Sequence, residues 1–212
     1  MIFDLHVHSS ISPCSQLTLD EIIIHAEAKG LDGICITDHD TMAVNRLLRE
    51  GPRDEGPCII FGMEYATKEG DFLIFGPFEK ILPHMTGPEL LQHVENKGGV
   101  AVAAHPCRTG RCVSEDLIRE GLCPIMETTN GRNREWENRA ASQLGDKYNA
   151  AHIGGSDAHT LAELGKIKTK FHQTIQCRAD FIQALKNKAF SPLPHLVSPP
   201  LDKHQGWSII SA

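Results

Sequence analysis

The sequence predicts an α/β domain whose strands close into a (β/α) barrel, and three observations predict it. Short, β-branched-rich apolar runs recur along the chain, bounded by Gly or Pro, as buried parallel strands are. Segments with helical period lie between several of them, the alternation expected of a parallel α/β fold. Almost every run ends in histidine or carboxylate residues, and the carboxyl ends of the strands are where a barrel places its active site. An open doubly wound sheet is the competing architecture, but six such strand ends converge more naturally in a closed barrel.

The first run, "MIFDLHVH", ends at His6 and His8. Strand alternation puts Asp4, His6 and His8 on one face and Phe3, Leu5 and Val7 on the other. Adjacent imidazoles repel when protonated, and a divalent metal would hold both neutral. "GICITDHD" ends at Asp38, His39 and Asp40, "PCIIFGMEY" at Glu64, and "GGVAVAAHP" at His105. "CPIMETTN" ends at Glu127, and "AAHIGGSDAH" at Asp157 and His159. "DFLIFG" (71–76) reads as an extra strand paired with the one before it, and "KFHQTIQ" as a final strand.

Thr18 with Glu21, and Thr86 with Glu89, have the spacing of capping boxes, predicting helices that stop at Gly30 and at Gly98–Gly99. "REWENRAASQLG" has helical period, and "ADFIQALKNK" supplies a last helix with Asp180 as its cap. Residues 1–190 form the predicted domain, and the Pro-rich 191–212 a tail packed on its surface.

At 212 residues, 41% hydrophobic and 23% charged, the chain is of ordinary globular composition, with no membrane-length apolar run and no signal-peptide pattern. A net charge of −6 argues against coating of long nucleic acids but not against a nucleotide or strand end, since "RTGR", "GRNR" and "KIKTK" are basic. Seven cysteines without CxxC spacing fit reduced thiols in a cytoplasmic protein. Cys35, Cys58 and Cys177 are expected in the core.

Taken singly, His6, His8, His39, Glu64, His105, Asp157 and His159 each have a structural reading, such as a helix cap or a closed turn. Gathered in one barrel mouth they would repel and be costly to bury unless cations neutralised them. Mixed imidazole and carboxylate ligands suit Zn²⁺, Mn²⁺ or Fe²⁺, and seven groups are too many for one ion.

In order and position, "DLHVHSS", "TDHD", "GME", "AAHP" and "GGSDAH" resemble the motifs of the PHP (polymerase and histidinol phosphatase) family over roughly residues 1 to 190. The resemblance implies a distorted seven-stranded (β/α) barrel holding two or three divalent metal ions (Zn, Mn or Fe), with phosphoester hydrolysis as the chemistry. By position, His6, His8, Glu64 and Asp157 match ligands of a first metal, with Glu64 bridging. His105 matches a second-metal ligand, and His39 and His159 those of a third. Two positions depart from the family: Pro13, followed by Cys14, stands where an aspartate is common, and Asp71 where a histidine is often found. Asp71 can still ligate through oxygen; Pro13 cannot, which predicts a weakly held third metal.

Two metals sharing a carboxylate also share a water of lowered pKa, the expected nucleophile. Asp157 or His159 could manage the leaving group's proton. Arg108, Arg132 and Arg134 follow suspected site strands and are candidate phosphate clamps, and Glu127 is expected to orient Arg or His groups. The expected activity is a phosphoesterase, of phosphatase or 5′-3′ exonuclease type, on a small phosphomonoester, a nucleotide or a short RNA 5′ end. The alternatives are an amidohydrolase-like hydrolase, which would normally need a strand-end lysine, and a non-catalytic metal-binding regulatory domain.

Overall fold

The structure, a computed structural model, describes residues 1–193. In chain order its elements are β1 (Ile2–Val7), α1 (Leu19–His25), β2 (Gly33–Ile36), β3 (Cys58–Phe61), β4 (Met63–Thr67) and β5 (Gly70–Phe75). There follow α2 (Gly87–Asn96), β6 (Val100–Ala103), α3 (Glu115–Arg119), β7 (Ile125–Asn130) and α4 (Glu135–Tyr148). The last are β8 (Ala151–Gly155), β9 (Thr169–Phe171), α5 (Arg178–Lys186) and β10 (Phe190–Pro192). The strands form two five-stranded sheets, ordered β10-β9-β1-β2-β3 and β4-β5-β6-β7-β8.

The α/β class is as expected, but the sheets are mixed. β1, β2 and β3 run parallel, as do β6, β7 and β8. β5 is antiparallel to both β4 and β6, and β9 to both β1 and β10. "DFLIFG" therefore pairs with the preceding strand as expected. The run "PCIIFGMEY", expected as one strand, divides at Gly62 between the two sheets. A Cβ on Gly62 would lie 2.5 Å from the Phe75 ring and 3.1 Å from the Ile74 carbonyl oxygen, so only glycine lets the chain turn this corner. Single β-bridges, Val7 with Ala158 and His39 with Glu64, stitch the ends of the sheets where the site residues stand.

Local chemistry sets the helices. Both capping boxes form: the Thr18 and Thr86 hydroxyls accept from the N–H groups of Glu21 and Glu89, whose carboxylates reach back to the cap N–H. Asp180 does not cap α5. The cap is Cys177, and the Asp180 carboxylate accepts from the N–H of Gln176, one residue further out. Helix α3, with five residues, is too short to show a period and went unpredicted.

Phe3 and Leu5 pack with Phe75, Phe171 and Phe181 in one buried cluster. Val7, expected beside them, joins a second cluster with Ile36 and Ala158, because the β1–β2 register shifts between Asp4 and Val7. Cys35 and Cys58 are buried as expected, whereas Cys177 is exposed at the start of α5, and all seven cysteines are free thiols. Among the described residues no helix is long and apolar enough to cross a membrane. Of the predicted tail, Ser191 and Pro192 belong to β10, and residues 194–212 lie outside the described residues.

Candidate metal centre

The loop after β1 is fixed before any ligand is considered. Asp38, at the end of β2, accepts from the Ser9 N–H (2.8 Å), the Ser9 hydroxyl (2.7 Å) and the Ser12 hydroxyl (2.7 Å). Asp4 ties β1 to the loops after β8, accepting from the N–H groups of Ser156 and Gly165 at 2.9 Å each. Its full burial pushes its carboxyl up to about 6, against the pull of these bonds.

Around this frame the strand ends bring seven of the expected residues together with Asp71. His6 Nε2 and His8 Nε2 are 3.0 Å apart. Glu64 Oε2 lies 3.3 Å from His6 Nε2, 3.1 Å from His8 Nε2 and 3.0 Å from His39 Nδ1, while Oε1 lies 2.7 Å from His105 Nε2. Asp157 Oδ1 faces His6 and His8 at 3.7 and 3.4 Å. Three groups have donor atoms converged closely enough to hold an ion: His6, His8 and Asp157; Glu64, Asp71 and His105; and His8, His39 and His159. The third group contains no carboxylate, and Pro13 supplies none. Cys14 lines the cavity but belongs to none of the groups, and partial burial pushes its thiol up, toward the protonated form.

The hydrogen bonds behind the rings show why cations fit. His6 Nδ1 donates to Glu127 Oε1 (2.9 Å). The Ser12 hydroxyl spends its proton on Asp38, so it can only accept from His8 Nδ1, 3.4 Å away. With both δ nitrogens protonated, the neutral rings turn two Nε2 lone pairs toward each other and toward Glu64 Oε2, a buried oxygen with no hydrogen-bond partner. So many converging lone pairs require positive charge, and imidazole with carboxylate is a donor set for Zn²⁺, Mn²⁺ or Fe²⁺. The proton affinities carry the same signature. Burial disfavours the His6 imidazolium, yet Glu127, Asp157 and Glu64 together raise it well above its ordinary value. Burial likewise disfavours the Glu64 carboxylate, but His6, His105 and His39 hold its carboxyl well below the usual range.

Glu127 joins the two sheets at the site. It is wholly buried, accepting from His6 through one oxygen and from the His105 N–H (2.8 Å) and Asn130 Nδ2 (2.9 Å) through the other. His105 and Asp157 both hold left-handed backbone conformations, with φ of 30° and 53°, strain that the surrounding bonds sustain.

A cavity of about 210 Å³ opens above these groups. Arg108 enters it tied to Asp157 Oδ2 (2.7 Å), Asn130 Oδ1 (2.7 Å) and Asn133 Oδ1 (2.8 Å). Arg132 lines it with a loose contact to Glu163 at 3.7 Å. Arg134 is exposed and does not line it; its backbone N–H instead donates to Glu137 at the start of α4. Arg111, which sequence reasoning passed over within "RTGR", does line it and pairs with Asp71 Oδ2 at 2.7 Å. Its distance from the histidine of "AAHP" was the only sequence signal, and it is weaker than that of Arg108.

The comparison with known proteins decides the family. The uncharacterized protein MJ0417 of Methanocaldococcus jannaschii is 30% identical over 185 residues, covering 82% of this chain and 71% of that protein. A PHP-associated family model matches residues 135–190. The chain belongs to the PHP family. Two solved structures share the fold of this PHP chain. PsfC from Pseudomonas syringae PB-5123 has a TM-score of 0.68 at 19% identity, over 85% of this chain and 87% of that one. The lesion-specific endonuclease PfuEndoQ from Pyrococcus furiosus also has a TM-score of 0.68, at 16% identity, over 91% of this chain but 58% of its own. At such identities the likeness is one of fold.

Proposed function

We propose that this PHP protein is a metal-dependent phosphoesterase acting on a small phosphomonoester, a nucleotide or a short nucleic-acid end. One observation carries the reading: ligand groups that meet at Glu64 share a cavity with the guanidinium groups of Arg108, Arg111 and Arg132. In this reading His6, His8 and Asp157 hold a first cation, and His105 and Asp71 a second. Glu64, whose two oxygens face both sets, would be shared between them, and His39 and His159 with His8 would hold any third. Bound there, the cations supply Lewis acidity that activates water and offsets charge on phosphoryl oxygens.

The remaining roles fall to the chain's own groups. Arg108, held by two asparagines and Asp157 through Nε and Nη2, keeps Nη1 in a fixed position to donate to a phosphoryl oxygen. His159 Nδ1 donates to the Asp157 carbonyl oxygen at 2.9 Å, which leaves the Nε2 lone pair to ligate, or to take a proton from the attacking water and pass it to the leaving oxygen. Glu127 and Asn130 hold His6, His105 and Arg108 in register. Arg132, 42% exposed and only loosely held by Glu163, is a second clamp, and Arg134 has no part in the cavity.

The same reading takes the two bridged sheets as halves of the distorted seven-stranded barrel, residues 1–190 as one catalytic domain, and the free thiols as those of a cytoplasmic protein. PfuEndoQ, a lesion-specific endonuclease of the same fold, supports keeping nucleic acids among the substrate classes. Among the described residues no lysine lines the cavity, which speaks against the amidohydrolase alternative.

The test is a screen of phosphomonoesters, nucleotides and short 5′-phosphorylated RNAs on metal-stripped protein reloaded with Mn²⁺, Zn²⁺ or Fe²⁺. Hydrolysis restored by reloading is expected. Full reloading without turnover of any phosphoester would overturn the reading.

A further inference from the structure

The two carboxylates at the cavity mouth are shared out differently. Asp157 divides its oxygens: Oδ1 faces His6, His8 and His159 at 3.7, 3.4 and 3.5 Å, and Oδ2 takes Arg108 at 2.7 Å. Asp71 does not divide them. The same oxygen, Oδ2, lies 2.7 Å from Arg111 Nη1 and 3.9 Å from His105 Nε2. A cation held by Glu64, Asp71 and His105 would compete with a guanidinium for that oxygen, and the two positive charges would repel.

Arg111 can yield. Its side chain is 56% exposed and, among the described residues, has no acidic partner besides Asp71. It projects from a loop closed at its base by Val113 N–H to the Pro106 oxygen (2.9 Å), with Gly110 in a left-handed conformation and open space around it. An ion pair whose cation is half in water is easily broken. Arg108 differs at each point: its side chain is only 22% exposed, and two asparagines as well as Asp157 hold it.

We propose that Arg111 is a positioning residue that holds Asp71 back from the second cation and releases it when an anionic oxygen of the substrate takes the guanidinium. Substrate anion and second cation then bind cooperatively, each strengthening the other by the same factor. The nature of the anion rests on the phosphoesterase reading; the competition for Asp71 does not.

The experiment titrates metal-stripped protein with Mn²⁺, reading free Mn²⁺ by its paramagnetic resonance signal, with and without inorganic phosphate. Arg111→Ala should bind the second equivalent roughly tenfold more tightly without phosphate. Phosphate should then tighten that site less in the variant than in the wild type. Combined with Asp71→Asn, the Arg111→Ala effect should vanish. Unchanged or weaker second-site binding in Arg111→Ala overturns the proposal even if Asp71→Asn proves unstable, and so does an equal gain in the Asp71→Asn background. Failure of the phosphoesterase reading is distinguishable: the Arg111 effect on Mn²⁺ would persist in a protein that hydrolyses no phosphoester.

Discussion

At the floor of the cavity, His6, His8, Glu64 and Glu127 are buried, and the rings are aimed by partners that are themselves buried, Glu127 for His6 and Ser12 for His8. At the rim, His39, Arg132 and Arg111 are 33%, 42% and 56% exposed, and their partners are few. The floor is built for fixed geometry, as ligands of a metal must be, and its electrostatics act in a medium that water does not screen. The rim keeps its charges free to rearrange, as suits groups that meet a substrate arriving from solvent. Arg108 belongs with the floor in its bonding and with the rim in its position.

The largest effect of a single change behind the ligands is expected at Glu127. In Glu127→Gln an amide N–H must face a donor, whether His6 Nδ1–H or the His105 N–H, since both oxygens now accept. Metal affinity should fall by about 10- to 100-fold and stability by about 1–3 kcal/mol. Metal content after dialysis and thermal unfolding measure the two, and unchanged metal content would erase the distinction between floor and rim. Next comes Arg108→Ala, which should lower kcat/KM on phosphate esters by about a hundredfold with metal content intact. A parallel loss of metal would instead make Arg108 a support of Asp157 alone.

The rim itself should respond weakly. Arg132→Ala should cost less than about fivefold in kcat/KM. Arg134→Ala, in the same "GRNR" stretch but outside the cavity, should cost nothing measurable. Steady-state kinetics on one aryl phosphate ranks these variants, and a larger loss at Arg134 than at Arg132 would reverse the assignment.

How far the sequence alone reached follows the same division. His6 and His8, the capping boxes at Thr18 and Thr86, and the convergence of strand ends were legible, because each is written in local spacing. The division of "PCIIFGMEY" at Gly62 was not, since what forbids a side chain there is the ring of Phe75, distant in sequence. Cys177 sits beside an apolar run and was expected inside, but it caps a helix in solvent. Arg134 and Arg111 exchanged places for a similar reason: nearness to a strand end in sequence does not decide which side chain a loop turns inward. Glu127 was expected to orient Arg or His groups; its bonds to His6 and His105, across two sheets, needed the fold.

The metal centre stands or falls on Glu64 as its shared anion, for the Glu64 oxygen Oε2 is buried amid three imidazoles without a hydrogen-bond partner. Elemental analysis of wild type and Glu64→Gln, each stripped, reloaded with Mn²⁺ and dialysed, tests it directly. The wild type should retain at least two ions per chain and Glu64→Gln at most one, since an amide of the same shape brings no charge to share. Equal retention in the two proteins would show that Glu64 is not the shared anion.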